Sequence, residues 1–151
     1  SGQIVVSGHK KACDKLISWF KENYNSPYRA IPLQVSAPFH STLMKSAELN
    51  LEDFFETITL QKNQITYIDN LTASINHPET SAQDIHQKLI GQVCGAVRWE
   101  ESFKKLSPDN HLFLEVGPGK TLTGIAKSIN RDYKVIPLDV ENIEEIIGEN
   151  L

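Results

Sequence analysis

An apolar, strand-like run from Ala30 to Val35 stops at Pro38, presents His40, and gives way to apolar residues at helical spacing from Met44 onward. Strand, proline stop and helix in succession oblige the chain to turn a corner there. A histidine at such a corner can be pushed into a cleft by the rigid elements on either side, which is how a catalytic base has to be held. The plainer reading of the same pattern, a partly buried or surface histidine, stands beside it.

On either side of this corner the spacing alternates between strand and helix. Gln3 to Ser7 is a short β-branched run closed by Gly8, which predicts a strand. From His9 to Tyr24 the apolar positions Ala12/Cys13, Leu16/Ile17, Phe20 and Tyr24 recur every three to four residues, an amphipathic helix that Asn25-Ser26-Pro27 ends. Arg29 to Ser36 reads as a second strand. After the corner, Met44, Ala47, Leu51, Phe54, Phe55 and Ile58 form a helix stripe, and Ile65 to Ile68 a strand that exits through Asn70 to Ala73. Ser74 to Thr80 reads as loop. Thr80 or Ser81 can cap a helix whose inner face is Ile85, Leu89, Val93 and Val97. Trp99, Phe103 and Leu106 suggest a short helix, Leu112 to Val116 a strand, Lys120 to Ile129 a helix, Tyr133 to Leu138 a strand, and Ile143 to Ile147 a terminal helix. This alternation predicts an α/β fold with parallel pairing.

Composition removes several classes of function. A formal net charge of -4 over 151 residues, 23% of them charged, gives no reason to expect nucleic acid or an anionic membrane as partner. No apolar run approaches the ~20 residues that a membrane span needs. Cys13 and Cys94 both fall in helix-like segments, so free, buried thiols in a reducing cytosol are expected, and with them a cytoplasmic location. The chain opens on Ser1-Gly2, almost directly into a strand, which suggests a piece of something longer or a processed or tagged product.

The stretch Val35-Ser36-Ala37-Pro38-Phe39-His40-Ser41-Thr42-Leu43-Met44 resembles the histidine motif of the malonyl-CoA:acyl carrier protein transacylases of fatty acid synthesis, and of the related acyltransferase domains of polyketide synthases. Gly2 to Gly8, Gln92-Val93 with Val97 to Ser102, and Glu115 to Lys120 are similar to the same family, in the same order. The resemblance implies a two-step transfer: a serine takes malonyl from coenzyme A, then yields it to the phosphopantetheine thiol of acyl carrier protein. A serine hydroxyl needs a neighbouring base at neutral pH, and His40 matches that base. A histidine suits the work because its ordinary pKa of ~6.5 allows proton exchange near pH 7.

By the same resemblance, Gln92 orients His40 through its main-chain carbonyl, so its side chain could change with little loss. From the residues alone it is a polar position on the exposed flank of a helix. Phe39 resembles the residue that narrows the acyl pocket, favouring malonyl over methylmalonyl by the ~1–3 kcal/mol that one methyl group allows; it reads equally as a core aromatic. The implied architecture is an α/β-hydrolase-like core with an inserted ferredoxin-like subdomain, residues 1–36 being the second half of the insert and 37–151 the C-terminal part of the core.

Other features of the family have no counterpart in these residues. Its nucleophile stands in a G-x-S-x-G elbow, whereas Ser7 is preceded by valines and Ser41 is flanked by His40 and Thr42. Arg29, Arg98 and Arg131 match no malonyl-binding position. The expectation is the C-terminal half of a transacylase, carrying the base without the serine, inactive by itself, needing the missing N-terminal half, and holding no permanent cofactor. The competing reading is an acyltransferase piece of a polyketide synthase, or a non-catalytic α/β module that binds acyl carrier protein. Gly117-Pro118-Gly119-Lys120-Thr121 imitates a phosphate-binding loop, but that pattern requires glycine where Leu114 stands. His9, His77, His86 and His111, with Cys13 and Cys94, lack metal-ligand spacing. Ser41 and Glu115 are expected to be structural.

Overall fold

The computed structural model describes residues 2–138 together with Glu144, Ile146 and Gly148. Most of the terminal helix expected over 143–147 therefore lies outside the described residues. The chain divides into two compact units, Ile4–Arg98 on one side and Trp99–Leu151 with Ser1–Gln3 on the other.

In the first unit, α1 (Lys10–Asn23) forms as its spacing predicts, yet none of its residues is fully buried. Phe20, Tyr24 and Tyr28 make an aromatic cluster at its end, with ring centroids 5.4–5.9 Å apart. The expected strands over Gln3–Ser7 and Arg29–Ser36 belong to no ladder among the described residues. A β-branched run favours extended backbone, but a strand also needs a neighbour's N–H and C=O groups. Ile4, Val5, Val6, Ile31, Leu33 and Val35 consequently stand more than half exposed.

Past the corner, a short 3-10 turn (Thr42–Met44) leads into α2 (Lys45–Glu56). Its inner stripe is Met44, Ala47, Glu48, Leu51 and Phe55; Phe54 and Ile58, expected on that stripe, point outward. The next strand is shorter than predicted and has an unforeseen partner. β1 (Tyr67–Ile68) pairs antiparallel with β2 (Ile75–Asn76), which falls within the stretch expected as loop. A tight turn at 69–74 brings the two together, with Ala73 at φ 54°, in the left-handed region. The helix α3 (Ala82–Gly91) starts at Ser81, whose hydroxyl accepts a hydrogen bond from Asp84 N at 3.1 Å. It ends sooner than the apolar spacing suggests, so Val93 and Val97 lie beyond it, and Cys94 sits in a turn rather than a helix. Leu89 is more exposed than an inner face requires. Phe55 of α2 meets His86 of α3 edge to face at 4.9 Å.

The second unit is built on parallel pairing, as expected. β3 (Phe113–Val116) runs beside β4 (Val135–Leu138), connected through α5 (Thr121–Ile129), and α4 (Trp99–Lys104) precedes them. Phe103, Phe113 and Tyr133 close over one another at 5.1–5.3 Å, and the Tyr133 hydroxyl donates to Phe103 O at 2.8 Å. Ala126, Tyr133 and Leu138 are the buried apolar residues here. The protein is thus a mixed helix and strand structure, with one parallel and one antiparallel pair among the described residues.

Candidate functional site

His40 adopts φ 60°, a left-handed conformation unusual for a residue with a Cβ. Such a backbone costs on the order of 1–3 kcal/mol and persists only where its surroundings fix it. Three carbonyls of one turn do so. His40 N donates to Val93 O at 3.2 Å, and His40 Nδ1 lies 3.0 Å from Gln92 O and 3.1 Å from Gly95 O. A carbonyl can only accept, so Nδ1 carries the hydrogen, and Nε2 of the neutral ring is left with its lone pair. The turn thereby selects a tautomer as well as a ring orientation. His40 is itself exposed, and Ser41 beside it is occupied structurally, its hydroxyl donating to Pro38 O at 2.7 Å.

The carbonyl turn exists because α3 stops at Gly91. Gln92 N still reaches Lys88 O at 3.1 Å, Val93 N reaches Ile90 O at 3.1 Å, and Gly95 N closes on Gly91 O at 2.8 Å. The underside of the turn is pressed on Leu71. A Cβ placed on Gly91 would stand 2.6 Å from Leu71 Cδ2, and one on Gly95 only 2.2 Å from Leu71 Cδ1. At Gly95 the same Cβ would also stand 2.8 Å from Gly91 O, so main chain excludes a side chain there, whereas at Gly91 a side chain would have to displace the Leu71 methyl groups. The sequence pointed to Gln92 through a resemblance; for Gly95 its one signal is the pair of glycines flanking Gln92.

Leu71 belongs to the 69–76 turn, which is organised by a buried carboxylate. Asp69, 3% exposed, accepts from Thr72 N at 2.7 Å, from Thr72 Oγ1 at 2.8 Å and from Asn76 Nδ2 at 3.1 Å. Lys88 Nζ donates to Asn76 Oδ1 at 2.6 Å, and lies 2.8 Å from Asp84 and 3.8 Å from Asp69. Burial acts to raise the Asp69 pKa, but the hydrogen bonds from Thr72 and Asn76 and the Lys88 charge outweigh it and hold the carboxyl below its ordinary value.

Phe39, next to the histidine, is 45% exposed and is no core aromatic in this unit. Cys94 lies between the carbonyls of Val93 and Gly95, but burial pushes its thiol up, as does the neighbouring Glu48 carboxylate, which argues against a nucleophile. In the second unit, the glycine-rich turn holds no open anion site. Gly117 and Gly119 take φ 134° and 94°, and the Glu115 carboxylate turns back to accept from Leu122 N, Thr123 N and Thr123 Oγ1 at 2.6–2.8 Å. The protein's own anion thus occupies the start of α5. Among the described residues no group of three or more histidines, cysteines and carboxylates could hold a metal ion, and no helix is long and apolar enough to cross a membrane.

No protein-family model matches the chain. It is 41% identical over 145 residues to a malonyl CoA-acyl carrier protein transacylase of Bacillus subtilis, an alignment covering 95% of this chain and 44% of that protein. A transacylase of the same name from Staphylococcus aureus is 34% identical over 151 residues, covering 99% and 46%. Among solved structures, an acyl carrier protein S-malonyltransferase from Vibrio cholerae superposes with a TM-score of 0.78 at 31% identity, over 92% of this chain and 44% of that one. A malonyl-transacylase solved with a type II PKS acyl-carrier protein gives 0.82 at 29% identity, over 95% and 45%. The chain spans less than half the length of the relatives it matches.

Proposed function

We propose that this chain, similar over nearly its whole length to malonyl CoA-acyl carrier protein transacylases, supplies the C-terminal half of such an enzyme and, in His40, its general base. The observation that carries the reading is the pair of main-chain carbonyls on His40 Nδ1, because they leave Nε2 as the basic nitrogen. In the forward half-reaction a serine hydroxyl of the N-terminal half attacks the malonyl thioester while Nε2 takes its proton. The carbon–sulfur bond breaks, the imidazolium returns the proton to the departing coenzyme A sulfur, and malonyl remains as a serine ester. The phosphopantetheine thiol of acyl carrier protein then attacks that ester by the same steps in reverse, with fatty acid synthesis as the destination of the product. Gln92 acts through its carbonyl, and Phe39 narrows the acyl pocket.

On this reading residues 1–36 complete a ferredoxin-like insert and 37–151 an α/β-hydrolase-like core. The segments at 4–6 and 31–35 support it: they join no ladder among the described residues, and their exposed isoleucine, leucine and valine suit pairing with strands from elsewhere. The test joins this chain, by mixing or by fusion, to the N-terminal part of the Bacillus subtilis relative and follows malonyl from coenzyme A onto protein. Transfer by the joined halves, and none by this chain alone, is the expected result. A well-folded mixture and a well-folded fusion that both fail to transfer would sink the proposal.

A further inference from the structure

The site described so far ends at the carbonyl turn, but the forces that place the turn come from deeper in the unit. A turn whose carbonyls must meet one ring nitrogen at 3.0 and 3.1 Å has little latitude, and hydrogen bonds within the turn do not set its height above the rest of the unit. Beneath the turn, Gly91 and Gly95 rest on the Leu71 side chain, where a Cβ would come within 2.6 and 2.2 Å of its methyl carbons. The main chain of Leu71 lies within the 69–76 turn, so the base of its side chain is placed by that turn. Asp69 holds that turn by the Thr72 and Asn76 bonds, and Asp69 N also donates to Ser74 O at 3.2 Å across its mouth. Both flanks of the carbonyl turn are tied to the same element. Before it, Lys88 binds Asn76 through its ammonium while its carbonyl accepts from Gln92 N. After it, Arg98 N donates to Asn70 O at 2.9 Å.

We infer that Asp69 is a positioning residue for His40: acting through Leu71 and the 92–95 turn, its buried carboxylate holds the imidazole in the Nδ1–H form. The inference deepens the reading of His40 as the base and rests on it for its catalytic consequence. Its structural content is separate. A neutral imidazole free of the carbonyls exchanges between its two tautomers, and in the other tautomer Nε2 carries a hydrogen and cannot accept one. Asp69 touches no reacting atom. Its effect is on the fraction of His40 that is competent, and on the direction in which Nε2 is presented.

The experiment places nitrogen-15 in the histidines of the full 151-residue chain and reads the two ring nitrogens of His40 above pH ~8, where a histidine of ordinary pKa is neutral; His40→Gln assigns the signals. The unaltered chain should show His40 as Nδ1–H. Asp69→Asn, which keeps the shape and removes the charge, and Leu71→Ala, which removes only the contact beneath the turn, should each convert it to a mixture of tautomers. Asp84→Ala, which alters a surface partner of Lys88 but not Asp69, should leave it unchanged. In the joined, transferring enzyme Asp69→Asn should lower kcat on the order of tenfold to a hundredfold, with KM for malonyl-CoA little moved. A His40 that remains wholly Nδ1–H in both variants would overturn the inference, as would an unaltered chain in the other tautomer. If Asp69→Asn fails to fold, Leu71→Ala decides by itself. Should His40→Ala leave transfer intact while the tautomer still responds to Asp69, the reading of His40 as base falls and the positioning stands.

Discussion

At the scale of single residues, what distinguishes His40 is the combination of a left-handed backbone and a ring nitrogen facing two acceptors. Either could occur by accident on a surface; together they define which nitrogen is basic and where the backbone holds it. The contributions of His40 and Gln92 should therefore differ sharply. In the joined enzyme His40→Ala is expected to slow acylation of the serine by roughly 10²–10⁴-fold, the usual worth of a positioned general base. Gln92→Ala, which keeps the carbonyl, should leave the rate little changed, and stopped-flow release of coenzyme A measures both. Equal, small effects would contradict the division of labour. Phe39 makes a prediction of its own: with its ring shortened in Phe39→Ser, the preference for malonyl over methylmalonyl should narrow by about tenfold, within the ~1–3 kcal/mol that one methyl group commands. Competition between the two thioesters in one assay reads the ratio directly.

At the scale of elements, the 69–76 turn is the part whose stability depends most on charge. Asp69 has a folded pKa held below its unfolded value. The sign follows: the carboxylate contributes stability at neutral pH, all of it present above the unfolded value near ~3.9, and loses that contribution as pH falls from there through the lower folded value. Urea unfolding from pH 7 down to pH 3 should show a loss of stability below about pH 4 that is weaker in Asp69→Asn. Asp69→Ala should cost on the order of 3 kcal/mol, because the buried Asn76 amide and the Thr72 N–H and hydroxyl lose their acceptor and the 69–76 turn loses its organising group. The second unit solves a similar problem differently. There a carboxylate at the end of β3 caps α5 from within, so the glycine-rich turn is filled by the chain's own anion.

At the scale of the whole molecule, few apolar side chains are fully buried among the described residues: Ala73 and Ile85 in one unit, Ala126, Tyr133 and Leu138 in the other. Many more stand half exposed, concentrated on the unpaired segments before Pro38 and on Val116 at the end of β3. A surface of that kind invites covering. It agrees with a chain spanning less than half the length of its relatives, and it is why the joined halves, rather than this chain by itself, are the object to assay.

The sequence by itself determined the elements whose signal is local. Helical spacing from His9 to Tyr24 and Ser81 as a cap became α1 and α3, the run into Gly117-Pro118-Gly119 became β3 and its turn, and the proline-stopped run placed His40 at a corner. Only the tertiary structure decided what depends on contacts between distant residues. It left the β-branched runs at 3–7 and 29–36 without ladders among the described residues, because extended backbone is a local preference and pairing is not. It gave Ile75-Asn76 a partner across a turn that Asp69 holds, ended α3 ahead of Val93, and turned Phe54 outward. Above all it brought the carbonyls of Gln92 and Gly95 to a ring more than fifty positions earlier in the chain. Main-chain carbonyls carry no residue-specific signature, so a site built from them is written in the fold and only faintly, in two glycines, in the sequence.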